Sequence, residues 1–276
     1  MKRSWATRHA VYSFLGGIVL GGLIIWIVPQ IRVVCTACHF SSIFVLPITG
    51  IIVSTFYLSA VKNSIIRKIG DLVAMEKADF SMVQGINVSK MEDLGARARA
   101  IGFEKVEDFI IRKSGIPGGA ASLFVDKGRG IFLEIHQILP IQPMQSANSD
   151  QLKVGMNLMT MMSDGMKVSS TSHQPNAMTY MMRMPSIIYE CHPDLGLESL
   201  TGSHVRFVGR VEAVAKTKPK MEFTFDAYRN IIITGQNEKK IYLDGRWIVM
   251  LLLDIDLFEG NPKSWWYGKL SKQLQE

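Results

Sequence analysis

The sequence predicts an α+β protein: a two-helix transmembrane hairpin followed by a cytoplasmic domain with a mainly antiparallel sheet and flanking helices. Three observations carry that expectation. Two apolar runs near the N-terminus, Val11–Val28 and Ser41–Val61, contain no charged residue. The middle of the chain alternates apolar and polar residues with period two, between turns rich in Gly and Asp. Segments on either side of it have helical spacing and end signals. The expected organisation is a hairpin over 1–61, with helices at about 11–28 and 41–61, a connector over 62–88, and an α+β domain over 89–276.

Each apolar run is long enough to cross a hydrocarbon core of about 30 Å at about 1.5 Å per residue. Its Ser, Thr and Tyr hydroxyls can bond to the helix's own backbone. Lys2, Arg3 and Arg8 precede the first run, Lys62, Arg67 and Lys68 follow the second, and the loop between has only Arg32. The positive-inside rule then puts both termini in the cytoplasm, at a bacterial inner membrane, with the loop outside. The net charge of +7 finds a use at these flanks, so nucleic acid is not needed as a partner. Trp5 and Trp26 sit where interfacial anchors would. Ser13, Gly17 and Gly21 form a stripe of small residues, for packing on Gly50 and Ser54 of the second run or on another subunit.

In the domain, Ser89-Lys90-Met91-Glu92 reads as a capping box, opening a helix that runs to Ile101 and stops at Gly102. Phe103–Arg112 reads as a strand, and residues 115–119 as a turn. Ala121–Val125 and Ile131–Ile138 form a hairpin. In the latter, Phe132, Glu134 and His136 face one way and Ile131, Leu133, Ile135 and Gln137 the other. Residues 139–151 read as a polar loop. Val154–Ser163 and Met166–Ser172 form a second hairpin, with Asp164-Gly165 as a type I′ turn. Met178–Met184 reads as a strand and Leu197–Lys216 as a helix. Phe223–Ile233 stays open, and Trp247–Leu253 is a buried strand or core helix.

The loop of the hairpin carries Cys35-Thr36-Ala37-Cys38-His39. Cys-x-x-Cys-His is the attachment signature of c-type haem: the thiols add to the vinyl groups and the adjacent His ligates the iron. On this reading Cys35, Cys38 and His39 bind the cofactor and His39 is the metal ligand. The loop is short and has no second His and no Met, so a second subunit would have to complete the pocket. A disulfide between Cys35 and Cys38 is another reading. A metal site of Cys35, Cys38 and His39, one ligand short of a tetrahedron, is a third. Chance occurrence is the fourth.

From Gly16 to His39, an anchor helix followed closely by CTACH, the chain resembles the membrane-anchored multihaem quinol dehydrogenases of periplasmic nitrate and nitrite reduction. That resemblance implies haem c and electron transfer. It stops there: those proteins carry several such motifs and a periplasmic domain, whereas this chain has one motif and turns back. Ile101-Gly102-Phe103 before a strand, and Asp164-Gly165 in a hairpin ending Ser170-Thr171-Ser172, resemble uncharacterised membrane-tethered bacterial proteins, which lend no activity.

Nine of the 16 methionines fall between Met156 and Met184. Thioethers favour Cu(I), but Met on strands is more simply core. His173, Glu190, Cys191 and His192 match no zinc spacing. Asp254 and Asp256 would share a strand face, most simply a solvated one. Trp265, Trp266 and Tyr267, beside Lys263 and Lys269, read as a membrane-surface cluster or a buried plug. No Gly-rich phosphate loop follows a strand, and no nucleophile array stands out. The expected function is therefore an accessory subunit of an electron-transfer assembly, anchored in the membrane, with one candidate haem c and a cytoplasmic docking domain. The alternative is a cofactor-free, membrane-tethered structural or interaction protein.

Overall fold

Successive side chains along the central strands point to opposite faces of the sheet, and apolar residues on both faces bury against helices. The structure, a computed structural model, describes residues 50–60, 62–63, 66, 74–113, 116–139, 154–175, 180, 183–220, 222–246, 250 and 264–275. The chain divides into two compact units, Met1–Arg67 with Leu243–Asn261, and Lys68–Tyr242 with Pro262–Glu276.

The second unit holds an eight-stranded sheet whose spatial order follows the chain. Its strands are β1 (Ala74–Lys77), β2 (Glu104–Lys113), β3 (Ile116–Asp126), β4 (Ile131–Ile138), β5 (Gly155–Met161), β6 (Lys167–Thr171), β7 (Ile187–Cys191) and β8 (Trp265–Trp266). All neighbours pair antiparallel except β6 and β7, which are parallel. The helices are α1 (Val88–Ala100), α2 (Leu197–Ala215), α3 (Phe225–Asp244) and the short α4 (Ser271–Gln275). The architecture is α+β.

One face of the sheet packs on α1 and α2. Ala120, Phe124, Leu133, Ile135, Met156 and Leu158 meet Met91, Leu94, Ala98, Leu197 and Leu200 there. Gly95 lets α1 come close, since a Cβ at that position would stand 3.1 Å from the Phe124 ring. The other face packs on α3. Phe109, Leu123, Phe132 and Met159 meet Phe225, Tyr228 and Ile231. With helices on both faces, β4 is buried along almost its whole length.

Local signals set the ends. α1 begins at Asn87, whose side chain accepts from Lys90 N, not at Ser89 as the capping box predicts. It stops at Gly102, which takes φ +97°, a conformation a Cβ would strain. The turn between β5 and β6 is not type I′, because Gly165 alone has positive φ there. Gly165 N donates to the Met162 carbonyl and Asp164 Oδ1 accepts from Met166 N, a three-residue loop closed by a left-handed glycine. β1 lies within the stretch expected as connector, β3 begins in the expected turn at 115–119, and the open segment at Phe223 becomes α3.

The transmembrane hairpin expected over 1–61 is overturned: among the described residues no helix is long and apolar enough to cross a membrane. The transmembrane assignment falls with it. The expected helix at 11–28, the small-residue stripe Ser13, Gly17 and Gly21, and the loop holding Cys35, Cys38 and His39 lie outside the described residues. So do the loop over 140–151, most of Met178–Met184 and Trp247–Leu253, and both Asp254 and Asp256. Within the first unit, Lys62 Nζ donates to the carbonyls of Asp244 and Arg246, each at 2.8 Å.

Candidate functional site

On the α3 face the aliphatic packing stops part-way across the sheet. From β4 to β7 the inward side chains become Glu134 and His136, Asn157, Ser169 and Thr171, and Tyr189. All of these but Glu134 border a cavity of about 470 Å³, closed by His173, Gln174, Pro175, Arg183, Met184, Ile187 and Lys239. The parallel β6–β7 step supplies the roof. A parallel pair needs a crossover, and residues leaving β6 and entering β7 cross over this part of the sheet.

Two contacts fix that crossover. Met184 lies against Gly235 of α3, where a Cβ would stand 2.2 Å from Met184 Sδ. Lys167, 2% exposed, reaches Ser186 Oγ and Glu238 Oε1, each at 2.9 Å, and Ser186 also donates to Glu238. The buried ammonium thereby ties β6, the crossover and α3 together. Arg183 stacks on Tyr180 and Trp266, at 4.3 and 4.1 Å from their ring centres, and donates to the Tyr180 carbonyl.

The chemical centre is a chain of four side chains. Tyr228 on α3 donates to Glu134 Oε2. Glu134 Oε1 lies 2.8 Å from His136 Nδ1. The ring N–H direction misses that oxygen, so Nδ1 has no aligned hydrogen bond. At that separation the carboxylate still acts on the ring, since electrostatic attraction depends on distance more than on angle. His136 Nε2 then lies 2.8 Å from His173 Nε2, with the rings 4.9 Å apart. Gly155, paired with His136 across the ladder, makes the seat: a Cβ there would stand 1.8 Å from His173 Nε2.

Electrostatics follow from burial. Burial alone would push the Glu134 carboxyl up, but its contacts with His136 and Tyr228 outweigh that and hold it below the ordinary value. Burial, with the His136 ring beside it, brings His173 down to about 4. Burial and the Glu134 carboxylate raise Tyr228 well above a normal phenol. Burial raises Tyr189 to about 12 and lowers Lys239. Cys191 is pushed up to about 11, also by burial, and donates to the His173 carbonyl. It is a structural thiol and not a nucleophile.

Of the residues grouped from the sequence, His173 and Cys191 reach this face. Glu190 and His192 do not. Glu190 projects to the other face, where Arg210 and Tyr267 donate to it. The metal-binding expectation is corrected too: among the described residues no group of three or more His, Cys, Asp or Glu side chains is placed to hold a metal ion. The two imidazoles stand at hydrogen-bond distance, and zinc–nitrogen bonds of about 2.0 Å on both sides would force them apart. Of the described methionines, Met156 and Met162 are core on the α2 side and Met159 on the α3 side. Tyr267 is a buried plug against α2, stacked on Trp265.

Sequence reasoning placed Glu134 and His136 on one strand face. It missed their partner, because His173 lies two strands away and beyond the end of β6. A Gly at the strand position facing a His was the available signal. No protein-family model matches the chain, and no curated protein or solved structure matches it either.

Proposed function

We propose that the chain binds a small anionic molecule in the cavity between β4–β7 and α3. One observation carries this reading. The wall offers Lys239, Arg183 and two imidazoles with no carboxylate among the lining residues, and one of its hydroxyls has no hydrogen-bond partner among the described residues. Tyr189 is 8% exposed and its hydroxyl makes no hydrogen bond. Lys239 is lowered by burial. A buried donor without an acceptor costs about 1–3 kcal/mol, and an ion more. An anionic oxygen in the cavity offsets both.

Titration of the purified chain with pyruvate, oxalate and inorganic phosphate, followed calorimetrically, tests it. At least one should bind saturably, and Lys239→Met should weaken that binding about tenfold or more, matching the loss of one charge-assisted bond of roughly 1.5–3 kcal/mol. No saturable binding of any of the three would remove the reading.

A second reading rests on Cys35-Thr36-Ala37-Cys38-His39. There we propose one covalent haem c held through Cys35 and Cys38, with His39 on the iron, as in an electron-transfer subunit. Intact mass from the native host decides it: a mass without the added haem ends that reading.

A further inference from the structure

We infer that the same cavity is a proton-transfer site, in which His173 removes a proton next to the carbonyl of a small 2-oxo carboxylate. Tyr189 donates to the carbonyl oxygen, and His136 with Glu134 takes up the charge. This rests on the anion-binding reading and adds chemistry to it.

The geometry that points there is the direction of the chain. It starts at Tyr228, 1% exposed in the core, passes through Glu134 and His136, and ends at a half-buried imidazole on a cavity wall. Packing does not require an ordered run of four polar groups aimed at an opening. The opposite face of the same strands shows what packing does require. There His204 is fully buried, with Thr160 and Ser170 each meeting one ring nitrogen.

Proton positions follow from the network. With both rings neutral, His136 keeps its proton on Nδ1 beside Glu134, and its Nε2 accepts from His173 Nε2–H. That leaves the lone pair of His173 on Nδ1, which has no partner among the described residues. In the step, the substrate C–H proton goes to His173 Nδ1 and the Nε2 proton passes to His136. The C–H electron pair moves into the carbonyl, whose oxygen becomes an enolate accepting from Tyr189. Return of the proton completes the exchange, and nothing is oxidised or reduced.

Each group suits its part. An isolated imidazole brought down to about 4 is a weak base. Here the charge does not stay on it, because the imidazolium forms at His136 beside a carboxylate that remains ionised. Tyr189 holds its proton at any working pH and so remains a donor. Lys239 offsets the substrate's carboxylate, which neither changes charge nor leaves.

The test uses the full chain and pyruvate in D₂O, with loss of the methyl signal followed by proton NMR and binding measured in parallel. The wild type should exchange the methyl protons faster than buffer with an inert protein. His173→Gln should abolish that excess, and Tyr189→Phe, which keeps the ring, should slow it about 10²–10³-fold. Glu134→Gln should lower the exchange rate at saturating pyruvate while leaving pyruvate affinity as in the wild type, a split that a purely structural role would not produce. Binding without exchange, or exchange unchanged in His173→Gln and Tyr189→Phe, overturns this inference and leaves anion binding standing. Absence of pyruvate binding overturns the inference, and the oxalate and phosphate titrations then decide the binding reading separately.

Discussion

Two buried histidines sit on opposite faces of the same strands, and their surroundings separate structure from function. His204, on α2, is fully buried with both ring nitrogens satisfied by the hydroxyls of Thr160 and Ser170. Burial brings it down to about 3. It is a closed polar pin joining α2 to β5 and β6. His173 has one nitrogen on another imidazole and the other without a partner among the described residues, beside a cavity whose wall holds the Tyr189 hydroxyl, which also has none among them. A satisfied buried group specifies a fold. A group satisfied on one side only, at a concave surface, is poised for something that arrives.

The largest effect should come from breaking the closed pin. His204→Ala removes a fully buried ring and strands two buried hydroxyls, at a cost of about 3–5 kcal/mol. His173→Ala, at a half-buried position, should cost only about 1 kcal/mol. Urea unfolding of the two variants measures the gap. Equal losses would mean that both histidines are structural and that the cavity histidine has no special standing.

The same pair predicts the acid limb of stability. A histidine whose folded value lies below its unfolded value of about 6.5 contributes stability that is complete above that pH. The contribution is lost as pH falls through the folded value. For His204 the window runs from pH 6.5 down to about 3, with a slope of up to about 1.4 kcal/mol per pH unit. His173 has the same sign over a window ending at about 4, but its partial exposure lets solvent screen the effect and flattens the slope. Unfolding midpoints at pH 7 and pH 5 should therefore fall steeply in the wild type and less in His204→Gln. A wild type with the same stability at both would place His204 outside the closed environment described.

A smaller cost in stability, with a larger one in binding, is expected from Gly155→Ala. The added methyl occupies the place of His173 Nε2, so the ring must leave its seat over β5. Overpacking of this kind costs about 1–3 kcal/mol. The imidazole pair would then separate while His204, on the other face, stays as it is. Nitrogen chemical shifts of the ring atoms report both sites in one spectrum. Perturbed His136 and His173 signals beside an unchanged His204 are expected, and an unperturbed pair would show that the seat is elsewhere.

How much of this could be read from the chain depends on distance along it. β4 was legible to the residue, because Ile131–Ile138 alternates between two turns and both of its faces are chemically distinct. α2 was legible from Leu200, Val208 and Val211 on one helical stripe. The His136–His173 pair was not, since it depends on the register of β4 with β5 and on where the crossover leaves β6. α3 stayed open because Phe225, Tyr228 and Ile231 lie among β-branched and aromatic residues that suit a strand equally well. The hairpin expectation rested on two runs without charge and on the basic residues that flank them. Absence of charge measures apolarity, which buried and spanning helices share, and it does not fix the length of an unbroken helix.

The smallest effect should come from the apolar part of the α3 face. Met159 is 2% exposed and packs with Phe132, Phe225 and Tyr228, short of the polar strip that begins at Asn157. Leu has nearly the same volume, and swaps of this kind usually cost under about 1.5 kcal/mol. Met159→Leu should therefore fold with a slightly lowered midpoint and bind anions as the wild type does. The sulfur has no partner that a hydrocarbon could not replace, whereas Tyr228, one neighbour away, holds the Glu134 carboxylate. Calorimetric binding and a thermal melt on that variant check both halves. Loss of binding without loss of stability would extend the site across the aromatic cluster and move the boundary between packing and chemistry.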